Sequence, residues 1–324
     1  MREASAGAQR PSPSELAHTP APRTPLYRFL GPRYWPIWIV LAFIRACIAL
    51  PLPLMMLLGR SLGRVAYFVS RRDRRIAQIN LELCLPELSA AERNRILRLH
   101  FESLGCTLFE TGLAWWASNE RLSGLIHVDG AEHLHQALTR GRGALMLSAH
   151  FSTLELGVRA LGLLKPFSFM YLTPKNALLA ELSGRYRSRH AIQALAADQI
   201  RELLNNLKHN VPVWYAPDQR FNDRNSAPVP FFGQPAGSNV ATSRLAKISG
   251  ATVLPFLPAR LPDDSGYVIT IYPPFDNYPT DDAVADTRRY HELIEAHARR
   301  YPEQYLWTYK RFRRPGPDGD PYRR

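Results

Sequence analysis

The hydrophobic pattern predicts a strongly apolar N-terminal stretch, followed by a longer part in which strands and helices alternate. The apolar stretch covers residues 34–59, and helical periodicity follows over 89–116, where Ser89 and Glu92 fit a capping box. Short apolar runs then predict strands at 124–128, 144–147, 167–171, 211–215, 251–257 and 267–271. Helical patterns predict helices at 131–139, 153–164, 177–189, 199–208, 240–248 and 282–300. This alternation predicts an α/β fold with helices packed on the faces of a sheet.

The N-terminal part divides into a lead and a membrane-anchoring segment. Residues 1–25 are rich in Pro, Ala and Ser and lack apolar periodicity, so we expect a disordered lead. Residues 34–59 are long enough to cross the hydrocarbon core of a bilayer, and aromatic residues cluster at their start. Arg45 near the middle and the nearby Pro51 disfavour a straight spanning helix. A spanning helix and a shallow or broken insertion therefore both remain open.

The chain carries a large excess of positive charge, with 41 Lys and Arg against 28 Asp and Glu, or +13 at pH 7. Such an excess favours an anionic partner, which could be nucleic acid, an anionic membrane, or an acidic protein or substrate. Because no nucleic-acid-binding module is recognisable, nucleic acid is the least favoured of these. Arginines cluster directly after the apolar stretch, which predicts that residues 60–324 form a domain in the cytoplasm. The three cysteines lack metal-ligand spacing and are expected to be buried, reduced thiols.

The best candidate for catalysis follows the strand predicted at 144–147. His150 would lie at the carboxyl end of this strand, where α/β folds hold reactive groups. From the turn before the next helix, Glu155 could reach back to one ring nitrogen and leave the other as a general base. This spacing is weak evidence alone, because His127 and Glu132 share it. Walker, G-x-S-x-G and H-E-x-x-H motifs are absent, so no metal or cofactor is implied.

Seven blocks of sequence resemble, in order, the late acyltransferases of lipid A biosynthesis (lauroyl and myristoyl acyltransferases), within the lysophospholipid acyltransferase superfamily. The blocks are YWP at 34–36, NLELCLPE at 80–87, HFSTLE at 150–155, GRYRS at 184–188, YAPDQ at 215–219, PFFG at 230–233 and PEQYLWTYKRF at 302–312. One block alone could be an accident, but seven in order over residues 31–319 are specific to the family.

The resemblance implies a glycerolipid-acyltransferase-like fold, a mixed sheet flanked by helices, with an N-terminal membrane-anchoring helix. It places the catalytic histidine and acid of the family on His150 and Glu155. The arginine that members often carry in a Tyr-Arg-Pro stretch is absent, and Lys175 lies nearby. The substrate-binding candidates are Arg187, Asp218, Gln219 and Lys175. In the last block, Trp307, Arg311 and Phe312 are expected to contribute packing and surface rather than chemistry.

The resemblance also implies the reaction. A fatty acyl chain would pass from an acyl carrier protein thioester to a hydroxyl of a phosphorylated, Kdo-bearing lipid A precursor, at the inner membrane and with the catalytic domain facing the cytoplasm. One alternative is the same chemistry on another lipid acceptor, such as a lysophospholipid or a different glycolipid. Another is a non-catalytic lipid-binding module that keeps the fold, which the presence of both His150 and Glu155 disfavours.

Overall fold

The computed structural model describes residues 23–219, 225–313 and 320–323. The helices are α1 Trp35–Cys47, α2 Leu52–Val69, α3 Arg71–Cys84, α4 Ala90–Trp116, α5 Asn119–Ser123, α6 Ala131–Thr139, α7 Leu154–Leu164, α8 Ala177–Arg187, α9 Ile200–Lys208, α10 Ala241–Ser249 and α11 Ala283–Arg300. The strands are β1 Ile126–Asp129, β2 Ala144–Leu147, β3 Ser168–Tyr171, β4 Gln193–Ala196, β5 Val213–Tyr215, β6 Ser226–Phe231, β7 Gln234–Asn239, β8 Thr252–Arg260 and β9 Tyr267–Ile271.

Within the described residues, seven strands form one sheet in the order β1-β9-β8-β2-β5-β3-β4. All neighbouring pairs are parallel except β8 and β9, which are antiparallel. The sheet is therefore mixed and mainly parallel, with helices around it, as predicted. All four residues of β2 are buried, since helices cover both faces of a central parallel strand and its sequence is apolar throughout. The predicted cap of α4 is also confirmed, because Ser89 and Glu92 form a reciprocal capping box.

Strands β6 and β7 were not predicted, and they form a separate antiparallel hairpin. Pro228 and Pro230 in β6 remove backbone donors, which a two-stranded ribbon tolerates on its outer edges but a central strand does not. The hairpin turns at Phe232 and Gly233, which both have positive φ, at 50° and 73°. Two such residues suit the two-residue turn that matches the twist of a hairpin.

The segment predicted as the membrane anchor is broken in two. Helix α1 ends at Cys47, and α2 begins after Pro51, whose ring fixes its own φ and provides no backbone donor. This finding matches the broken arrangement rather than one helix over 34–59. Among the described helices, α2 is long and apolar enough to cross a membrane by length and composition, with mean hydropathy 1.2. Most of the predicted disordered lead lies outside the described residues.

Helix α2 packs against α4 at very close range. A Cβ added to Gly105 of α4 would lie 2.0 Å from the carbonyl oxygen of Gly59, and one added to Gly63 would lie 2.2 Å from the carbonyl oxygen of Phe101. Only glycine allows the two backbones to approach this closely. The N-terminal helices are thereby fixed to α4. Helix α4 also contacts α7, which follows residues 148–153 with His150, here named the catalytic turn.

Candidate active site

The site is built at the carboxyl ends of two neighbouring parallel strands, β2 and β5. The backbone N–H of Ser148 donates to the carbonyl of Tyr215 at 2.8 Å, which extends the pairing of these strands by one step. His150 follows the end of β2, and Asp218 follows the end of β5. Because parallel strands end at the same edge of the sheet, the two side chains meet there.

Asp218 holds His150 through two contacts. Oδ1 of Asp218 lies 2.5 Å from Nδ1 of the imidazole, and Oδ2 accepts the backbone N–H of His150 at 2.9 Å. Asp218 is 2% exposed, whereas the His150 side chain is 29% exposed. Within the described residues, Nε2 of His150 has no hydrogen-bond partner. The carboxylate therefore orients the ring and leaves Nε2 available to a substrate.

The pKa values of this pair follow from burial and mutual charge. Burial lowers the pKa of His150, but the charge of Asp218 and the hydrogen bond to it outweigh burial and hold this pKa above its ordinary value of 6.5. For Asp218, burial raises the pKa, and the charge of His150, its hydrogen bonds and the more distant Arg311 together hold it below 3.8. Asp218 is therefore a carboxylate at neutral pH, and it increases the basicity of His150.

Glu155 does not form the contact expected from the sequence. It lies in the first turn of α7, and its carboxylate is bound by both the Nε and an Nη of Arg187, with Nε at 3.1 Å from Oε2. Glu155 and His150 share no hydrogen bond, so the expectation that Glu155 orients the ring is corrected: Asp218 takes that place. The physical reason is that Asp218 arrives on the neighbouring strand, while the start of α7 directs Glu155 towards the end of α8.

Arg187 is the last residue of α8, and its side chain is 19% exposed. Burial lowers the pKa of its guanidinium, but the charge of Glu155 and the hydrogen bond to it outweigh burial and raise the pKa.

The other two substrate-binding candidates, Lys175 and Gln219, are held by fewer contacts. Lys175 is exposed in the loop before α8, and Gln219 is half-buried beside Asp218, next to residues 220–224 that are not described. Among the described residues, neither is joined to the His150–Asp218 or the Glu155–Arg187 pair by a hydrogen bond.

The catalytic turn is braced by the last of the seven sequence blocks. The backbone N–H of Ser152 donates to the carbonyl of Gln304 at 2.7 Å, and Leu306 N–H donates to the carbonyl of His150 at 3.1 Å. The Gln304 side chain continues the contact into β8, where it both accepts from the backbone N–H and donates to the carbonyl of Arg260. In the same block, Trp307, Arg311 and Phe312 are at most 3% exposed, which agrees with the predicted packing role but not with a surface position.

Sequence reasoning missed a buried polar network beneath the turn. Nη1 of Arg260 lies 2.5 Å from Oε1 of Glu110, and Nη2 donates to Ser103 at 2.7 Å. Ser103 in turn shares a 2.8 Å hydrogen bond with Ser152, two residues after His150. The detectable signal was Glu110, an acid within the apolar pattern of α4. The network links α4, β8 and the catalytic turn.

The described residues and the chemistry of their donor groups give no indication of a metal centre. Within the described parts of the chain, no group of three or more His, Cys, Asp or Glu side chains is placed to hold a metal ion. The three cysteines are buried and free, as expected. His127, which shares the His-x4-acid spacing, is an exposed strand residue whose Nε2 lies 2.8 Å from Asp129. His150 therefore stands apart from His127 by its position at the strand end and its buried carboxylate partner.

Comparison of the sequence with known proteins shows the family of the chain. The family model described as bacterial lipid A biosynthesis acyltransferase matches residues 25–314. The lipid A biosynthesis lauroyltransferase of Escherichia coli is 37% identical over 91% of this chain and 96% of its own length. The palmitoleoyltransferase of the same bacterium is 37% identical over 88% and 93%, and its myristoyltransferase 26% identical over 91% and 93%. The chain therefore belongs to the bacterial lipid A biosynthesis acyltransferase family.

Proposed function

We propose that this protein transfers a fatty acyl chain from an acyl carrier protein thioester to a hydroxyl of a phosphorylated, Kdo-bearing lipid A precursor, with His150 as the general base. The observation that carries the proposal is the 2.5 Å contact between Nδ1 of His150 and the buried carboxylate of Asp218. A lipid A precursor as acceptor is supported by the family, whose E. coli members are named lipid A biosynthesis lauroyl-, palmitoleoyl- and myristoyltransferase. The carrier protein thioester is the donor that the sequence resemblance implies.

The proposed reaction is a direct transfer. Nε2 of His150 removes the proton of the acceptor hydroxyl as its oxygen attacks the thioester carbonyl, which forms a tetrahedral intermediate with a negative oxygen. Collapse of this intermediate breaks the carbon–sulfur bond, and the imidazolium returns its proton to the departing thiolate. The products are an ester on the acceptor and a free thiol on the carrier. No serine or cysteine nucleophile takes part.

Asp218 acts as a positioning residue. With its carboxylate at Nδ1, the neutral imidazole carries its proton on that nitrogen, and the lone pair of Nε2 faces the acceptor. When Nε2 takes up a proton, the charge of Asp218 stabilises the imidazolium. The second contact, from the His150 backbone to Oδ2, keeps the carboxylate and the turn in one geometry.

The negative oxygen of the intermediate needs donors that are in place before the reaction. One source is the N–H groups of Glu155 and Leu156 in the first turn of α7, which have no backbone acceptor among the described residues, as is usual at a helix N-terminus. The guanidinium of Arg187 is the other positive group of the site, and Glu155 fixes its orientation. We assign Glu155 and Arg187 to substrate binding and charge stabilisation as a pair, rather than to activation of the histidine.

Membrane attachment is also part of the proposal. Helices α1 and α2 leave large apolar side chains exposed, among them Phe43, Val65, Phe68 and Val69, with Val69 at 75%. Arg71, Arg72 and Arg75 follow directly and are exposed. An apolar face next to a basic segment suits insertion into an anionic membrane on its cytoplasmic side.

The test is acyl transfer by the purified full-length chain in detergent, with acyl carrier protein thioester and the Kdo-bearing precursor. We expect His150→Ala to abolish transfer without changing the melting temperature by more than a few degrees. His127→Ala is the matched control and should retain wild-type activity, because His127 is exposed and lies in the edge strand β1, which β9 and β8 separate from β2. Full activity of His150→Ala would refute the assignment of the base. Mass spectrometry of the product then separates the proposed acceptor from a lysophospholipid, on which transfer should be negligible.

A further inference from the structure

Helices α1 and α2 carry a large apolar surface that is exposed within the described structure. It includes Ile39 and Phe43 on α1, and Leu57, Val65 and Phe68 on α2, with Phe68 at 70% exposure. Soluble proteins rarely leave an apolar surface of this extent in water, and such a surface marks a site of interaction with a membrane or another protein. The way in which the rest of the chain holds these helices limits the geometry of that interaction.

Helix length and charge disfavour a crossing of the bilayer by either helix. Helix α1 has 13 residues and is about 20 Å long, whereas the hydrocarbon core is about 30 Å thick. Helix α2 is long enough, but the guanidinium of Arg60 near its middle binds both carboxylate oxygens of Asp264 at 2.6 Å. Asp264 lies in the loop between β8 and β9, where Asp263 and Ser265 are exposed. A crossing by α2 would carry this loop into the hydrocarbon core, which does not tolerate lipid-exposed irregular backbone.

The apolar segment is also tied to the catalytic domain before α1 and at the break between the two helices. Before α1, the backbone N–H of Thr24 donates to the carboxylate of Glu181 in α8 at 3.1 Å. At the break, a terminal nitrogen of Arg121 in α5 donates to the carbonyl of Leu50 at 2.6 Å. The two ends of a spanning segment lie on opposite sides of the bilayer, whereas both ends of the segment 24–50 are held against one domain.

Helix α2 lies along α4 from one end to the other. Near the start of α2, the thiol of Cys106 in α4 donates to the carbonyl of Met56 at 3.6 Å. Near its end, the ring of Tyr67 packs edge-on against that of Phe101 in α4, with the centroids 5.6 Å apart. Because one face of α2 contacts α4 in this way, its apolar face points away from the domain and its axis runs along the surface of the domain.

Exposed arginines lie beside this apolar surface. Arg71, Arg72 and Arg75 are in the first turns of α3, directly after α2, and Arg95 and Arg98 are exposed on α4, which packs against α2. Apolar side chains next to basic ones suit the acyl chains and the headgroups of an anionic leaflet. A second copy of the chain fits less well, because chains with a net charge of +13 repel each other.

We propose that α1 and α2 lie in the plane of one anionic membrane leaflet, and that neither helix crosses the bilayer. Thr24 and the catalytic domain are then on the same side of the membrane. The inference rests on the membrane attachment of the proposed function, and it assigns a geometry to that attachment. Because Ser103 of α4 shares a 2.8 Å hydrogen bond with Ser152 of the catalytic turn, the in-plane helices also hold this turn at a fixed distance from the leaflet.

The first experiment measures the immersion depth of nitroxide labels in the full-length chain, bound to vesicles of phosphatidylethanolamine and phosphatidylglycerol. Leu54→Cys, Ser61→Cys and Phe68→Cys place a label near the start, the middle and the end of the exposed face of α2. We expect the three depths to agree within about 5 Å, whereas a spanning helix would place the middle label about 10 Å deeper than the other two. Val284→Cys, at an exposed residue of α11, is the control and should stay in water. The three natural cysteines are buried, and the wild type treated in the same way corrects for their labelling.

A second experiment locates the two ends of the chain. Protease-cleavable tags at the N-terminus and at the C-terminus should both be cut in inverted inner-membrane vesicles, and both be protected in intact spheroplasts. Tags on opposite sides of the membrane, or a Ser61→Cys label about 10 Å deeper than the other two, would overturn the proposal.

Two further outcomes would also overturn it. One is a stable dimer in detergent that Phe68→Glu dissociates, because the apolar surface would then belong to a second copy of the chain. The other is failure of the wild type to bind the vesicles, which would remove membrane attachment together with its geometry. A wild type that binds the vesicles with the expected depths but transfers no acyl chain would count against the proposed function alone.

Discussion

His150 and Asp218 are separated by 68 positions in the sequence, yet the Asp218 carboxylate contacts both the ring and the backbone of His150. The two residues end neighbouring parallel strands, so their meeting is a property of the sheet rather than of a local motif. Asp218 thereby fixes both where the histidine lies and which of its nitrogens is free. This role differs from that of Glu155, which binds Arg187.

Asp218→Asn should lower the rate of acyl transfer by about 10²-fold or more, since a general base that is poorly oriented loses much of its contribution. The amide preserves the shape of the side chain, so folding should be retained. The measurement is kcat with saturating substrates. Asp198→Asn, at an exposed turn residue, is the matched control. A rate for Asp218→Asn within a factor of two of the wild type would contradict the positioning role.

The pH dependence of the rate should distinguish the two acids. The base must be unprotonated, and Asp218 holds the pKa of His150 above 6.5, so activity should fall as the pH drops through a value above 6.5. Asp218→Asn removes the charge that raises this pKa, so the acidic limb of the pH–rate profile should move to lower pH. Glu155→Gln should reduce the rate but leave the limb in place, because Glu155 binds Arg187 and not the imidazole. A limb moved by Glu155→Gln and not by Asp218→Asn would restore Glu155 as the partner of His150.

The buried network should contribute to stability in a non-additive way. Glu110→Gln leaves the Arg260 charge buried without its partner, and we expect it to lower the free energy of unfolding by about 3–5 kcal/mol. Replacing both residues together, by Glu110→Met and Arg260→Met, removes both charges and should be less destabilising than Glu110→Gln alone. Denaturant unfolding of the three variants in detergent measures this. Equal or greater loss in the double variant would show that the ion pair itself is strongly stabilising.

The contact between α2 and α4 gives a steric prediction. Gly105→Ala places a methyl group 2.0 Å from a backbone oxygen, which no side-chain rotation can relieve, so we expect at least about 1–3 kcal/mol of destabilisation. Gly184→Ala is the control, because a Cβ there meets nothing within 4 Å on α8 and should stabilise by about 0.5–1 kcal/mol. Thermal melting of both variants is the measurement. An unchanged melting temperature for Gly105→Ala would mean that the helices can separate.

The sequence was informative where a pattern is local. Periodicity predicted the six apolar strands of the main sheet and most of the helices, because burial on one or both faces determines which residues they contain. It missed β4, whose four residues are mostly half-buried, and the β6–β7 hairpin, whose prolines and glycines do not read as a strand. The prolines in the apolar stretch argued against one straight helix, and the chain is indeed broken between α1 and α2 at Pro51.

At the candidate site, too, local patterns were informative and contacts between distant residues were not predictable. The position of His150 at a strand end followed from the apolar run before it, and the family blocks marked Glu155, Arg187 and Asp218. Their pairing could not be predicted, because it depends on strand order and on the direction of α7, which local spacing does not contain.

The turn that carries His150 is held by hydrogen bonds to residues that are synthesised much later in the chain. The turn leaves the ribosome long before Gln304 and Leu306, whose backbones form hydrogen bonds with the backbones of Ser152 and His150. A nascent or truncated chain that ends before Gln304 contains every proposed catalytic side chain but lacks the brace that fixes the turn. We therefore expect the turn to become fixed only after Gln304 and Leu306 have been synthesised.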